Sequence, residues 1–214
     1  MNISVDTYLV TQSDLSGGRT SVEVVEAALR GGIDVIQLRE KHASARTRYE
    51  LGQAIRELTA NEDVLFVVND RVDIAVAVDA DGVHLGDDDV PIDVAREQLA
   101  DDALIGRSVS TVEGAKEAES AGADYLGVGA VFETSSKDTK AEQSEIGLKR
   151  VEDIADTVSI PIVGIGGITP DNATDVVAAG ADGVAVISAI TAAPNPADAT
   201  RQLATAVSKG RVVQ

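Results

Sequence analysis

The stretch "PIVGIGGITPDNATDVVAAGADGVAVIS", residues 161–188, contains one complete strand–helix–strand pattern. Its two β-rich runs, PIVGIGG and GVAVIS, flank a helical segment that ends at Gly180. Glycine readily adopts the left-handed conformation found at many helix ends. Because parallel strands need a long crossover connection, this order is typical of a parallel β/α unit.

The same alternation extends over the whole chain. Short β-rich runs are separated by helical segments, and "AGAD" marks a helix-to-strand turn twice, at 121–124 and at 179–182. Gly31 and Gly122 are further predicted helix ends. The β-rich runs are TYLVT, DVIQLR, LFVVND, GVHLG, ALIGRS, YLGVGAVF, PIVGIGG and GVAVIS.

Eight strands that alternate with eight helices predict an α/β fold, and a single-domain (β/α)8 TIM barrel over residues 1–214 fits that count directly. An open, doubly wound sheet is the alternative. Ligands would bind at the carboxyl ends of the strands in either architecture. Polar residues that follow the strands are therefore the first candidates for a functional site.

The composition limits the class of partner. The chain has 36 Asp and Glu against 18 Lys and Arg, a formal net charge of −18, which disfavours nucleic acid and anionic membranes as partners. The acids are spread along the chain, which favours general surface acidity, as in proteins from salt-rich cytoplasm. The sequence has no Cys, no apolar run long enough to span a membrane and no signal-peptide pattern. We therefore expect a cytoplasmic enzyme with small-molecule substrates.

The second β-rich run continues into three polar residues at alternating positions, Gln37, Arg39 and Lys41. Residues two apart in an extended chain point to the same side, so the amide and the two cationic groups share one direction. Arginine offers a planar donor fork for phosphate oxygens, and lysine adds a compact charge. We predict an anion site here; the alternative is a surface ion pair between Arg39 and Glu40.

Acidic and amide side chains follow the next two runs. Asn69 and Asp70 end the third run, and Asp87, Asp88 and Asp89 follow the fourth. Neighbouring strands bring these carboxylates to the same rim as Arg39 and Lys41. Mg²⁺ takes one or two protein carboxylates together with phosphate oxygens and water, so this combination predicts a magnesium–diphosphate site. The spacing does not show which of the three consecutive aspartates binds the metal. The alternative is that these residues cap a helix or lie in a solvated turn.

A second anion site is predicted after the seventh run, where Gly166 and Gly167 let the backbone approach a ligand closely. Thr169 is a candidate cap for the following helix, with Pro170 at its first position. Phosphate sites built from the loops after strands seven and eight recur in barrels. A tight turn without a ligand is the alternative. His84 lies within a strand and is interpreted as a packed or hydrogen-bonded core residue.

With these residues in place, the chain resembles the thiamine-phosphate synthase (thiamine-phosphate pyrophosphorylase) family over nearly its full length. Several blocks in the same order carry the resemblance, which makes it more specific than any one motif. They are QLREK (37–41), VNDRVDIA (68–75), DGVHLGDDD (81–89), YLGVGAVFET (125–134) and PIVGIGGIT (161–169).

The resemblance implies a (β/α)8 barrel transferase of thiamine biosynthesis with Mg²⁺ as cofactor. Such an enzyme joins 4-amino-2-methyl-5-hydroxymethylpyrimidine diphosphate to 4-methyl-5-(2-phosphoethyl)thiazole, or to its carboxylated form, and releases pyrophosphate. The resemblance assigns Gln37, Arg39 and Lys41 to the diphosphate, and Asn69 to the diphosphate or the pyrimidine. Asp70 and Asp89 are the implied metal ligands, since the family reads Gly-Gln-x-Asp where this chain has Gly-Asp-Asp-Asp.

The remaining assignments also come from the resemblance. Ser108 matches a serine near the pyrimidine, and Thr134, Ser136 and Lys137 match a Thr-x-Thr-Lys loop. Arg39, Lys41, Lys137 and Ser108 are the implied catalytic residues, with the cations stabilising the departing diphosphate. The thiazole-phosphate site is matched by Gly167, Ile187 and Ser188.

The loop after the sixth strand departs from the family pattern. Two prolines are replaced, by Ala130 and Glu133, and the second threonine is Ser136. Three alternative functions remain at this point, one of which, another phosphate-substrate barrel lyase or isomerase, shares the GIGG signal but not the other motifs. A related isomerase would need a histidine base after the fifth strand, where this chain reads GRSVST. A non-catalytic phosphate-binding barrel would not need the metal and cation set. The sequence leaves the oligomeric state open, with a homo-oligomer as one option.

Overall fold

The computed structural model describes residues 5–134 and 145–213, and eight parallel strands form a closed barrel in these ranges. The strands pair in chain order, and β8 pairs with β1 to close the barrel. Closure confirms the TIM barrel and excludes the open-sheet alternative. The strands are β1 Thr7–Val10, β2 Val35–Leu38, β3 Leu65–Asn69, β4 Gly82–Leu85, β5 Leu104–Val109, β6 Tyr125–Gly129, β7 Ile162–Ile165 and β8 Gly183–Val186.

The described ranges contain nine α-helices and one short 3-10 helix, Ser13–Leu15. The extra helix relative to the prediction is a single turn that begins directly after β8. The helices are α1 Ser21–Gly31, α2 Ala45–Thr59, α3 Val72–Ala77, α4 Ile92–Arg96, α5 Val112–Ser120, α6 Gly147–Ala155, α7 Ala173–Ala178, α8 Ser188–Thr191 and α9 Pro196–Val213.

Local signals explain where α1 begins and ends. Thr20 and Glu23 form a reciprocal capping box at its start. The helix ends at Gly31, as the sequence predicts, and the left-handed residue that follows is Gly32, with φ 80°. Gly122 and Gly180 have positive φ, as predicted for helix ends.

The strand side chains alternate between two apolar regions. One set packs outward beneath the helices and includes Leu9, Ile36 and Phe66, all fully buried. The other set fills the barrel interior and includes Tyr8 and Tyr125, each only 2% exposed. This alternation follows from the two-residue period of a strand. The polar residues at interior positions therefore lie close together inside the barrel.

The amino-terminal rim of the barrel repeats one contact four times. An aspartate just before each even-numbered strand accepts a hydrogen bond from a backbone N–H of the preceding odd-numbered strand. The four pairs are Asp34 with Thr7 at 2.9 Å, Asp81 with Phe66 at 2.7 Å, Asp124 with Ile105 at 2.7 Å and Asp182 with Ile162 at 2.8 Å. The repeated "AGAD" in the sequence supplies two of these aspartates.

Among the described residues, none of the helices is both long and apolar enough to be a candidate for crossing a membrane.

Candidate active site

A cavity of about 1190 Å³ opens at the carboxyl ends of the strands. It collects most of the predicted site residues, which come from all parts of the chain. Those in its wall are Arg39, Lys41, Asn69, Asp70, Asp89, Ser108, Thr134, Gly167, Ile187 and Ser188. Gln37 lies in a smaller cavity of about 20 Å³ within the barrel, which Arg39, Asn69 and Ser108 also line. Ser136 and Lys137 lie outside the described residues.

Arg39 is held in the cavity wall by the loop after β1. Its Nη1 donates to Gln12 Oε1 at 2.7 Å, and its backbone N–H donates to Thr11 Oγ1 at 3.0 Å. The residue is only 4% exposed although it carries a charge. A buried guanidinium needs polar or anionic neighbours, which suits an anion-binding role. Lys41 is exposed at the mouth, where it adds a second positive charge.

The surface ion pair between Arg39 and Glu40 is not what the structure shows, because both residues are buried, at 4% and 5% exposure. Glu40 Oε1 accepts from Ser21 Oγ at 2.6 Å, and its Oε2 accepts from Ser13 Oγ at 2.8 Å. Burial alone would raise the pKa of Glu40, but these hydrogen bonds outweigh it and lower the pKa. The carboxylate therefore ties β2 to the 3-10 helix and so to the loop that holds Arg39.

Asp70 and Asp89 face each other across neighbouring strand ends. Asp70 has a left-handed backbone, with φ 62°, and its N–H donates to the His84 carbonyl oxygen at 2.9 Å. Burial, then the hydrogen bond and the charge of Asp89, raise the pKa of Asp70 to about 6, while Lys41 and Arg39 act in the opposite direction. Asp89 Oδ2 also accepts from Gly86 N–H at 2.6 Å.

Of the other two aspartates in that loop, Asp87 is engaged elsewhere. Its Oδ1 lies 3.1 Å from Arg107 Nη2, and Arg107 Nη1 donates to the Gly86 carbonyl oxygen. Arg107 therefore anchors the loop that carries Asp89. The sequence analysis did not identify Arg107 or Gln12. Both are polar residues near a strand end, and many surface residues have the same property.

The donor set of Asp70 and Asp89 fits Mg²⁺. Burial and the nearby Asp89 raise the pKa of Asp70, so a cation between the two carboxylates would stabilise their ionised forms. Among the described residues no group of three or more His, Cys, Asp or Glu side chains could hold a metal alone. Mg²⁺ commonly takes one or two carboxylates plus substrate phosphates and waters, so the pair suffices only together with a phosphorylated ligand.

On the opposite side of the cavity, two glycines shape the loop after β7. Gly166 and Gly167 have φ 102° and 64°. A Cβ on Gly167 would lie 2.5 Å from the Glu133 carbonyl oxygen, so this position also serves the packing of the loop after β6. The prediction that Thr169 caps a helix beginning at Pro170 was wrong. The helix begins at Ala173, and Asn172 Oδ1 accepts from Thr169 N–H at 2.8 Å.

The single-turn helix α8 faces these glycines from the end of β8. Ile187 precedes it and Ser188 is its first residue, and both line the cavity beside Gly167. Backbone N–H groups at a helix start and in a glycine loop both favour anions. The side of the cavity at β2–β4 therefore presents charged side chains, whereas the side at β7–β8 presents mainly backbone N–H groups.

Five polar side chains line the smaller cavity inside the barrel, and two of them, His84 and Ser108, also reach the large one. We call these five the floor network: Gln37, Tyr8, Tyr125, His84 and Ser108. His84 is 8% exposed, and its ring nitrogens contact Tyr125 Oη at 3.2 Å and Ser108 Oγ at 2.9 Å. The interpretation of His84 as a hydrogen-bonded core residue agrees with this position. The two tyrosines were missed, because TYLVT and YLGVG are typical of any buried strand.

Comparison with known proteins adds independent information. A sequence model of the family described as thiamine monophosphate synthase matches residues 7–190. The thiamine-phosphate synthase of Natronomonas pharaonis is 66% identical over 94% of both chains. That of Haloquadratum walsbyi is 62% identical over 99% of this chain and 95% of the relative. The solved thiamine phosphate pyrophosphorylase from Pyrococcus furiosus superimposes with a TM-score of 0.88, at 46% identity over 97% of this chain and 98% of that chain.

Proposed function

The chain belongs to the thiamine-phosphate synthase family, transferases of thiamine biosynthesis, and from that premise we propose how its residues divide the reaction between them. The side of the cavity at β2–β4 receives the pyrimidine diphosphate. The side at β7–β8 receives the phosphate of the thiazole. Bond formation then takes place between the two, above Ser108.

One observation carries this division: the Asp70–Asp89 pair lies where Arg39 and Lys41 influence its charge. A carboxylate pair beside two cations suits a metal-bound diphosphate and exceeds what a monophosphate needs. Asp70 and Asp89 would hold the metal, and Arg39 and Lys41 would contact the terminal oxygens. Bound Mg²⁺ would neutralise diphosphate charge and so favour its departure.

The residues of the chain stabilise charge and orient substrates. Departure of the diphosphate leaves a cation on the pyrimidine methylene, delocalised into the aminopyrimidine, and the thiazole nitrogen attacks that carbon. Arg39 and Lys41 stabilise the departing diphosphate, with Lys137 proposed to join them from the loop after β6. Holding the two substrates in contact supplies much of the remaining acceleration. Proton transfer by a strong base is not required.

The other assignments complete the two subsites. Asn69 and Gln37 are proposed to serve the pyrimidine diphosphate, with Gln37 acting from the floor, where its amide contacts Tyr8. Ser108 faces the pyrimidine. The thiazole phosphate is proposed to bind Thr134, Ser136, Gly167, Ile187 and Ser188.

Several further properties of the protein are proposed on more general grounds. The acidic surface agrees with the relatives from halophiles. We keep a cytoplasmic location and small-molecule substrates as predictions, together with the option of a homo-oligomer and of a carboxylated thiazole.

The experiment that tests the proposal is the coupling of the two purified substrates, with and without a chelator, followed by the mass of the product. Thiamine monophosphate and pyrophosphate should form in equal amounts, and only with Mg²⁺ present. A product formed equally well in chelator would contradict the roles of Asp70 and Asp89. Tautomerisation of a thiazole carboxylate phosphate without coupling would support the isomerase alternative instead.

A further inference from the structure

The floor network is a continuous chain of hydrogen bonds across the barrel interior. Gln37 Nε2 donates to Tyr8 Oη at 2.7 Å, and Tyr8 Oη lies 2.8 Å from Tyr125 Oη. Tyr125 Oη lies 3.2 Å from His84 Nδ1, and His84 Nε2 lies 2.9 Å from Ser108 Oγ. The first four side chains are at most 8% exposed. Buried polar groups of this kind pair with one another wherever they are in reach.

The strands leave room for this chain by omitting side chains beside it. A Cβ on Gly106 of β5 would lie 2.5 Å from His84 Nδ1. A Cβ on Gly127 of β6 would lie 2.9 Å from His84 Cε1. Since a Cβ at either position would clash with the network, the two glycines keep its path open.

With Gln37 Nε2 as the donor to Tyr8, a direction can be assigned to each of the other bonds in turn. Tyr8 accepts from Gln37, so the remaining partner for the Tyr8 proton in the network is the Tyr125 oxygen. The Tyr125 proton then goes to His84 Nδ1, which must carry a lone pair. Burial is the largest cause that raises the pKa of both phenols, so both keep their protons. His84 is left with its proton on Nε2, which donates to Ser108 Oγ.

We propose that the floor network is a one-way hydrogen-bond relay in which Gln37 sets the Nε2–H tautomer of His84, and His84 in turn makes Ser108 a donor toward the cavity. Because Ser108 Oγ accepts from His84, its own proton is directed to a ligand. Tyr8, Tyr125 and His84 are thus positioning residues. They determine that the ligand atom opposite Ser108 is a hydrogen-bond acceptor.

This last step rests on the proposed function and sharpens it. A pyrimidine ring nitrogen is an acceptor, whereas the exocyclic amino group is a donor. The relay therefore selects the orientation in which a ring nitrogen faces Ser108. Replacing Ser108 by Ala should weaken binding of the pyrimidine diphosphate about tenfold, the effect of one good hydrogen bond.

The relay is tested by ¹H–¹⁵N long-range NMR of the imidazoles in the full-length protein without ligand. The sequence contains only two histidines, and exposed His42 provides the reference signal. The expected His84 pattern is a protonated Nε2 with a lone pair on Nδ1. A protonated Nδ1, alone or together with Nε2, would overturn the proposal.

Gln37→Glu tests whether the amide sets the direction. A carboxylate accepts from Tyr8, so each bond should reverse and the His84 proton should move to Nδ1. The spectrum is recorded at a pH at which the ¹³C chemical shift of the new carboxyl group shows that this group is ionised. An unchanged tautomer under that condition would contradict the relay. A role confined to packing would not move the proton.

Tyr125→Phe gives a second, milder test in case the glutamate variant does not fold. The variant removes the donor to His84 Nδ1, so the ¹⁵N signal of that nitrogen should move toward the value of a bare lone pair. An unchanged shift would overturn the assignment of Tyr125 as the donor. Both measurements use ligand-free protein, so a failed coupling assay would contradict the proposed function without affecting this result.

Discussion

The carboxyl groups of Asp70 and Asp89 interact with each other, although the residues follow two different strands. Each side chain is oriented by its own backbone contact, Asp70 through a left-handed φ and Asp89 through the Gly86 N–H. Two acids brought together in this way are unfavourable without a cation or a proton between them. The pair therefore destabilises the metal-free protein where both acids are ionised.

Asp70→Asn should stabilise the metal-free protein near neutral pH. Burial and Asp89 raise the folded-state pKa of Asp70 from 3.8 to about 6, so folding favours its protonated form. The stability from this group is present below the unfolded pKa and is lost as the pH rises through about 6. Asparagine resembles the protonated acid and tolerates positive φ. We expect a gain of about 1 kcal/mol after allowing for solvent screening.

Urea unfolding of both proteins, in chelator, measures this difference at neutral pH and near the unfolded pKa, where it should vanish. Asp101→Asn, an exposed carboxylate in a turn, is the matched control. With Mg²⁺ and pyrophosphate added, the order should reverse, since only the wild-type pair binds the metal strongly. A variant less stable than wild type in chelator would contradict the origin of the pKa shift.

Arg39→Ala should lower the turnover of the coupling reaction by about 10²-fold or more, because the departing diphosphate loses a buried positive charge. Steady-state kinetics with both substrates provide the measurement, and circular dichroism checks that the barrel is intact. Arg46→Ala removes an arginine from an exposed pair with Glu50 and should have little effect. Near-normal turnover in the Arg39 variant would refute its assignment.

Arg107→Ala should weaken the binding of Mg²⁺ in the presence of pyrophosphate. Arg107 contacts the Gly86 carbonyl oxygen and Asp87, and so it holds the loop that presents Asp89. Loss of a supporting contact behind a metal ligand typically costs about 10-fold to 100-fold in affinity. Calorimetric titration of Mg²⁺ measures it, with Arg201→Ala on α9 as the control. Equal affinities in both variants would show that the loop holds its shape alone.

Gly167→Ala should destabilise the protein more than Gly32→Ala. Both glycines have positive φ, but a Cβ at Gly32 meets nothing within 4 Å, whereas at Gly167 it would lie 2.5 Å from the Glu133 carbonyl oxygen. The φ strain costs about 1–2 kcal/mol in either variant. The additional loss of stability in the Gly167 variant measures the clash of the new Cβ. Thermal unfolding gives the loss of stability in both variants. The KM for the thiazole phosphate should rise only in the Gly167 variant.

Asp124→Ala should lower stability by about 2 kcal/mol and leave the turnover unchanged. Its carboxylate accepts from Ile105 N–H at 2.7 Å and from Arg96 at 2.6 Å, at the rim opposite the cavity. Removal leaves a strand N–H without its acceptor. Chemical denaturation and the coupling assay are run on the same preparation, with Asp124→Asn as the variant that keeps an acceptor. A large loss of turnover at full folding would show that the two rims are coupled.

The sequence predicts the β/α order well because each unit is encoded locally, by apolar period and by glycines. It does not decide between barrel and open sheet, because closure depends on the pairing of β8 with β1, and these strands are far apart in the chain. Local signals also leave a helix start uncertain by a few residues. Asn172, rather than Thr169, makes the side-chain contacts there, because its amide reaches both Thr169 and Gly167.

The residues of the candidate site also differ in how far the sequence predicts them. Residues that follow strands directly, such as Arg39 and Asp70, are predictable because the rim of a parallel sheet gathers them, whereas Ser108 lies within β5 and is found only through the family resemblance. Glu40 was misread as an exposed partner, since its burial depends on two serines of a different segment. Tyr8 and Tyr125 have no local signature, because what unites them is a contact across the barrel interior.

The four aspartates at the amino-terminal rim divide the scaffold into quarters, each closed by its own carboxylate. Each quarter consists of an odd strand, a helix and an even strand, with the closing contact at the far end from the substrates. A quarter can therefore exchange or lengthen its loop at the mouth while its closure stays intact. Modular variation of this kind gives the barrel room to acquire new chemistry at one end under separate selection from the stability maintained at the other.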